Sequence, residues 1–369
     1  MRSKVLFVIP NMTSGGAERV FLHLLNNLDR KKFEPVLAVG ELRGEFLAEI
    51  KSDVSVIELN AIRARSAIGP LIKTVWRLRP NVIMSTLGMN LAAALGKPFF
   101  PKGVRIILRE GNSPTAFLDD VKRKSRIRAG FYQRCYKYLY QLADLVICQS
   151  DFMKADMERT MGVPASKLKR IHNPINFEQI GKMSSEKTDQ TSLPRQIRLN
   201  TVGRLSFQKA YDNLLRAFVI VRTVYSNSEL TFIGQGEDEA SLKELTRTLH
   251  LENHVHFLGF RSNPYAYTAR SNIFVLPSRY EGFSNALVES LACGVPAVVT
   301  DCPSANREVI TEGFNGWFAK PDDADDLAAV MIKAIGKIET IDRRAIIEDC
   351  RSKYSLDVII PQYEQAMLG

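Results

Sequence analysis

Two α/β domains, each built on a doubly wound parallel sheet, are the architecture that this sequence predicts, on three observations. Short apolar runs alternate with stretches of helical periodicity along most of the chain, as parallel βα units do. A second such series begins after a polar, poorly periodic stretch, His172 to Gln196, that contains two prolines and reads as linker plus surface loop. The length of 369 residues, with 45% hydrophobic and 24% charged residues, suits two domains of ordinary size.

Taken in order, KVLFVI (Lys4 to Ile9) is a buried-strand pattern, followed by the turn at Gly15 and Gly16. Ala17, Val20, Phe21, Leu24, Leu25 and Leu28 then recur at helical offsets, which completes strand, loop and helix. PVLAVG, VSVIEL, NVIMST, VRIILRE and DLVICQS are the next strands of the first series. IRLNTVGRL, LTFIG, VHFLGF, IFVLPS and AVVT are those of the second, with helices expected near residues 211–225, 237–249 and 285–293. The last 25 or so residues read as helical, with an apolar stripe broken at Pro361. The expected division is 1–175, then 176–350, with 351–369 as a C-terminal helix packing back on the first domain. A cleft is expected between the halves, and ligands of open α/β sheets bind beyond the carboxyl ends of the strands.

Composition narrows the classes. The first apolar run has six residues before polar NMTSGG, so no secretory leader is expected, and no apolar stretch approaches the roughly 18 residues of a membrane span. A cytosolic or peripheral location is the expectation. Cys135, Cys148, Cys293, Cys302 and Cys350 show no CxxC spacing and lie mostly in apolar patterns, which suggests buried free thiols rather than zinc or disulfides. Net charge is +10, but residues 1–170 carry 29 Lys and Arg against 15 Asp and Glu, and the remainder 21 against 25. The N-terminal half is therefore the one expected to meet an anionic surface or acceptor.

Candidate chemistry lies at three strand ends. Gly15 and Gly16 leave bare backbone at a helix start, which suits either an approaching anion or sugar or simply a tight βα turn. The spacing is not the GxGxxG of a dinucleotide fold, and Gly234–Glu237 is likewise truncated, so nicotinamide and flavin chemistry is disfavoured. Arg204, within TVGRL, and Lys209, five residues on, lie past a strand in a loop leading to a helix, where two cations suit a diphosphate. SRYEGFSNALVESLACGVPAVVTD, Ser278 to Asp301, places Glu281 in a loop and Glu289 within a helix N-capped by Ser284 or Asn285, with Gly294 past its end. That helix start favours a phosphate, and Glu289 is about 6 Å further along the axis, in reach of a ribose diol. On spacing alone a solvated Glu289 and a turn-forming Glu281 read equally well.

Together these stretches resemble the retaining glycosyltransferases of family 4, also called group 1, with the GT-B fold of two Rossmann-like doubly wound domains facing across a cleft. The resemblance runs through SGGAER (14–19), GRLSFQKAYDNLLRAF (203–218), FIGQGEDEASL (232–242), VHFLGF (255–260), LPSRYEGFSNALVESLACGVPAVVTD (276–301) and EGFNGWFAKPDD (312–323). It implies an acceptor-binding N-terminal domain, a C-terminal domain for the nucleotide sugar, and the family's Glu-x7-Glu pair in Glu281, toward the donor sugar, and Glu289, toward the ribose. It also implies that Arg204 and Lys209 grip the diphosphate, so that Glu281, Arg204 and Lys209 form the catalytic set. Amides around Phe283, Ser284, Asn285 and Ala286 would complete the cradle, and Gly16 would approach the donor phosphate or acceptor from the other domain. No metal and no cofactor are implied beyond the nucleotide-sugar donor, expected to be UDP-linked, and retention is expected by front-face attack. Two departures stand out. Many relatives carry a His in the loop after the fifth strand, whereas this chain has Arg109, Glu110, Gly111 and Asn112; Glu110 or Asn112, with Gly15 and Arg109, are the acceptor or sugar contacts expected. The family's usual Gly after the lysine is Ala210.

Between Val121 and Ala143 there is no acidic residue, while basic residues interleave with Phe131, Tyr132, Tyr136, Tyr138 and Tyr140. Lys122, Arg123, Lys124, Arg126 and Arg128 are the membrane contacts expected, on anionic headgroups or a polyprenyl diphosphate. The other reading is a solvated basic helix whose aromatics pack inward. Nucleic acid is not expected, because no recognised binding module accompanies the charge. The expected activity is transfer of a hexose or N-acetylhexosamine to a lipid-linked glycan, polyprenyl-diphosphate-borne or other, at the inner face of the cytoplasmic membrane, in cell-surface polysaccharide or O-antigen assembly. Alternatives are a nucleotide-sugar 2-epimerase of similar fold and a non-catalytic nucleotide-sugar-binding subunit.

Overall fold

A computed structural model of the chain describes residues 2–13, 15–61, 63–111, 113–188 and 196–369. By internal contacts it divides into two compact units, residues 1–174 with 356–369, and residues 175–355. The first change of unit falls two residues after His172, and the second at Leu356 rather than at 351.

Unit 1 is a seven-stranded sheet of β1 (Ser3–Ile9), β2 (Phe33–Val39), β3 (Ser55–Glu58), β4 (Val82–Thr86), β5 (Arg105–Arg109), β6 (Leu145–Cys148) and β7 (Leu168–Arg170). Its order is β3-β2-β1-β4-β5-β6-β7, and every pairing is parallel. The connecting helices are α1 (Gly16–Asn27), α2 (Ala64–Leu78), α3 (Met89–Gly96), α4 (Pro114–Lys124), α5 (Arg126–Leu142) and α6 (Asp151–Met161). Alternation along β1 sends Leu6 and Val8 into a core with α2 to α6, and Val5, Phe7 and Ile9 into a core with α1. The helices therefore separate by face. Asp156 of α6 accepts from the Thr115 amide and from the Ser113 and Thr115 hydroxyls, which fixes the start of α4.

Unit 2 runs α7 (Phe177–Ser184), β8 (Ile197–Val202), α8 (Tyr211–Val224), β9 (Ser228–Ile233), α9 (Glu239–Thr248), β10 (Val255–Phe257), α10 (Tyr265–Thr268), β11 (Ile273–Leu276), α11 (Asn285–Ala292), β12 (Ala297–Thr300), α12 (Asn306–Val309), β13 (Gly316–Ala319), α13 (Ala324–Ile335) and α14 (Arg343–Tyr354). Its sheet, β10-β9-β8-β11-β12-β13, is again wholly parallel. The helix α7 lies inside the stretch read as linker; it forms because Phe177 and Ile180 have a core to enter.

The last helix, α15 (Leu356–Leu368), belongs to unit 1 and passes through Pro361 without a break. Proline there removes one backbone donor and crowds the preceding turn. Burial of Ile359, Ile360, Tyr363, Ala366 and Met367 against the core of α1 offsets that cost.

Candidate active site

In a doubly wound sheet the winding reverses between two strands, and the loops leaving their carboxyl ends part to form a crevice. In unit 2 these strands are β8 and β11, and their loops carry Lys209 and Glu281. Backbone bonds lace the edge together: Leu205 N–H to Gln235 O (3.0 Å), Asp238 N–H to Leu205 O (3.0 Å), Arg279 N–H to Gln208 O (2.8 Å) and Glu281 N–H to Pro303 O (3.2 Å). The lacing requires bare backbone at Gly234 and Gly236, where a Cβ would stand 2.0 Å from Gly203 O and 2.2 Å from Leu205 O.

Lys209 Nζ donates to Glu281 Oε1 at 2.6 Å, with the two side chains 12% and 8% exposed. Ser278 Oγ donates to the same oxygen at 2.7 Å, and Gln208 Nε2 reaches the other at 3.4 Å. Burial works to lower the Lys209 pKa, but the Glu281 carboxylate, Tyr211 and Cys302 together outweigh burial and hold the ammonium above its ordinary value. Lys209 is thus a fixed cation. An ammonium has three N–H donors and Glu281 takes one, so the pair still presents positive hydrogens beside a carboxylate.

Arg279 is the residue here that sequence reading missed. Its Nη1 donates to Phe207 O at 2.7 Å, Nε to Asp322 at 2.7 Å and Nη2 to Asp212 at 3.0 Å, while the guanidinium lies 4.1 Å from the Phe207 ring centroid. It therefore straps the 204–209 loop to the 278–284 loop. Its partners are 67 and 43 residues away, so no local signal marks it.

The predicted Ser284 is the N-cap of α11, but its side chain makes no capping bond, and the first turn holds no acidic residue. Its helix start therefore has neither a Ser284 capping bond nor a first-turn carboxylate to offset its positive end. Phe283 is a core residue against Tyr354, so only its backbone is a candidate contact. Asn285, Ala286 and Glu289 are half-buried on α11. Arg204 is exposed, and among the described residues its side chain has no hydrogen-bond or ion-pair partner. Ala210, in place of the family glycine, holds φ 49°, in the left-handed region.

Unit 1 treats its predicted residues differently. Gly15 is the N-cap of α1 and Gly16 its first residue, and the Glu18 carboxylate folds back so closely that a Cβ on Gly15 would meet Oε2 at 2.3 Å. A residue of the chain's own supplies the negative charge there. Arg109, expected as an acceptor or sugar contact, is 1% exposed and donates to Asn173 (2.5 Å), Tyr363 and Thr86. It is an interior strut joining β5 to α15, because the returning helix covers it. Glu110 is half-buried and accepts from the Tyr140 hydroxyl and the Gly111 amide. Burial, together with that carboxylate, drives the Tyr140 phenol well above its usual pKa. Asn112 lies outside the described residues.

The basic segment is two helices, α4 and α5, parted at Ser125, whose side chain caps α5. Lys122 is paired with Asp119 (2.9 Å), whereas Arg126 and Arg128 are exposed; the side chains of Arg123 and Lys124 lie outside the described residues. The aromatic and apolar side chains of this segment divide between core and solvent. Tyr140 packs inward, with Tyr136 partly buried beside it, while Ile127, Phe131 and Tyr138 are 88%, 67% and 67% exposed. Among the described residues no helix is long and apolar enough to cross a membrane, and no group of three or more His, Cys, Asp or Glu could hold a metal ion.

Two doubly wound domains, one with a buried cation–carboxylate pair at its switch point, define a protein of the GT-B class. Comparison with known proteins agrees. A family model described as Glycosyltransferase Family 4 matches residues 14–179, and one described as Glycosyl transferases group 1 matches residues 184–351. An uncharacterized glycosyltransferase of Methanocaldococcus jannaschii is 31% identical over 51% of this chain, which spans only 48% of that relative's length. The N-acetylgalactosamine-N,N'-diacetylbacillosaminyl-diphospho-undecaprenol 4-alpha-N-acetylgalactosaminyltransferase of Campylobacter jejuni is 26% identical over 88% of both chains. The crystal structure of Anabaena HepE in complex with UDP and glucose superposes with a TM-score of 0.80 over 100% of both chains, at 18% identity. These findings support membership of the glycosyltransferase group 1 family.

Proposed function

We propose that this chain is a retaining, metal-independent glycosyltransferase that moves a hexose or N-acetylhexosamine from a UDP-linked donor to a lipid-linked glycan in cell-surface polysaccharide or O-antigen assembly. The observation that carries the reading is the Lys209–Glu281 pair at the unit 2 switch point, beside the uncapped start of α11. The relative named for a diphospho-undecaprenol acceptor and the neighbour solved with UDP and glucose lend it support.

In this reading Arg204, Lys209 and the amides at the start of α11 meet the diphosphate, Glu289 the ribose and Glu281 the donor sugar. The acceptor hydroxyl forms its bond to the anomeric carbon on the face from which the diphosphate departs. The bond from that carbon to the diphosphate oxygen breaks with its electron pair, and the hydroxyl proton passes to the leaving phosphate. Fixed cations and a helix dipole aimed at developing charge supply the stabilisation that a metal supplies elsewhere. Basic residues of α4 and α5 would bring unit 1 to the inner membrane face that holds the acceptor.

The test offers a panel of nucleotide sugars with a membrane lipid extract and follows label into lipid, with and without a chelator. Transfer by wild type, undiminished by chelation and abolished in Glu281→Ala and Lys209→Ala, is expected. Wild-type rates in either variant would sink the site assignment. Turnover of UDP-N-acetylglucosamine without acceptor would identify an epimerase instead.

A further inference from the structure

From Leu59 to Arg109 the chain has nine Lys and Arg and no Asp or Glu, a second acid-free segment besides residues 121–143. In unit 1 the two are neighbours: α2 and α3 come from the first, α5 from the second, and α3 packs against both on one face of the sheet. The solvent side of α2 presents Lys73, Trp76 and Arg77, and the turn after α3 presents Phe99. Trp76 is 48% and Phe99 62% exposed, with Leu95 also in solvent. The two rings belong to one ridge, since Trp76 Nε1 donates to Phe99 O at 2.8 Å. Arg79 lies over the indole at 4.3 Å, and Lys102 follows close by in sequence.

Two features decide what fits this ridge. The indole N–H is already satisfied within the ridge, so the ring can leave water without stranding a donor, which is the usual cost of burying tryptophan. The surrounding cations select an anionic partner, and they disfavour a second copy of this chain because its ridge would bring like charge against like. Aromatic side chains rimmed by Lys and Arg are suited to the boundary between headgroups and acyl chains.

We propose that the Trp76–Phe99 ridge inserts into an anionic bilayer and acts as a foothold separate from α4 and α5. This inference rests on the reading of a membrane-borne acceptor. The chain has two tryptophans, and Trp317 is buried in unit 2, so Trp76 is a native reporter. Vesicles of phosphatidylcholine with increasing phosphatidylglycerol, with and without brominated acyl chains, are added to the full chain. Expected are a blue shift of the emission that grows with anionic lipid, quenching by the brominated chains, and at least tenfold weaker partitioning of W76A/F99A. That variant should keep wild-type transfer to a detergent-dispersed short-chain acceptor, a measurement that tests the proposed activity separately. Three results would overturn the foothold: co-sedimentation with vesicles while the Trp76 spectrum stays unmoved, no association at any anionic content, or a soluble dimer in which Trp76 is shielded.

Discussion

Units 1 and 2 share a winding, 3-2-1-4-5-6 in their first six strands, yet they dispose of charge in opposite ways. In unit 2 the switch-point loops turn a lysine and a glutamate inward on each other, while the nearby start of α11 is left without an acidic residue. In unit 1 the helix after the first strand is closed by its own Glu18, the arginine at the end of β5 is sealed among neutral partners, and exposed cations lie on α2 and α5. The same scaffold therefore holds a buried ion pair beside a helix start without acidic residues in one unit, and in the other a helix start closed by its own glutamate, with the cations left outside. The lesson is local: winding supplies the crevice, and a few side chains decide whether it stays open.

The strongest way to break the comparison is to remove one member of the unit 2 pair. Lys209→Ala leaves a buried carboxylate alone, and a loss of about 3–5 kcal/mol is expected in denaturant unfolding, with transfer down by about a thousandfold. The double variant Lys209→Met with Glu281→Leu should regain most of the stability and none of the transfer. If the double variant is no more stable than the single ones, the pair is not the structural unit described.

A second test separates the units by pH. Burial, helped by Arg19, holds the His23 imidazole of α1 at about 4. The unfolded chain takes up that proton near 6.5 and the folded chain does not, so stability is full above 6.5 and falls as pH drops toward 4, by about 3 kcal/mol. Thermal midpoints between pH 7.5 and 4 should drop in wild type and far less in His23→Gln. Equal slopes would remove His23 from the account.

Smaller effects sharpen the picture of unit 2. Arg279→Ala unstraps two loops without touching the ion pair, and a fall in kcat/KM of about tenfold to a hundredfold is expected, with nucleotide affinity weakened by titration calorimetry. Unchanged kinetics would leave Arg279 a mere surface group. Least of all, Ala210→Gly relieves a left-handed alanine and should raise stability by about 1 kcal/mol; a loss in chemical denaturation would contradict the strain.

Much of this was legible. Alternating apolar runs located eleven strands, and the helices expected near 211–225, 237–249 and 285–293 are α8, α9 and α11. What escaped was short or tertiary in origin. The strand β7 is LKR, with one apolar residue in three, β13 is GWFA, four residues that open on a glycine, and α7 has only two buried positions. Pro361 looked like a break because propensity weighs against it, and the core around α1 overrode that preference.

By itself the sequence determined two parallel α/β halves, the loops at their strand ends and an uneven charge, because period, glycine placement and composition are local properties of the chain. Only the tertiary structure decided which of those charges meet. Lys209 and Glu281 stand 72 residues apart and become one buried pair, Arg109 vanishes behind a helix 254 residues on, and two acid-free segments become neighbours. The physical reason is that burial and proximity, which set the worth of a charge, belong to the packed chain and not to any stretch of it.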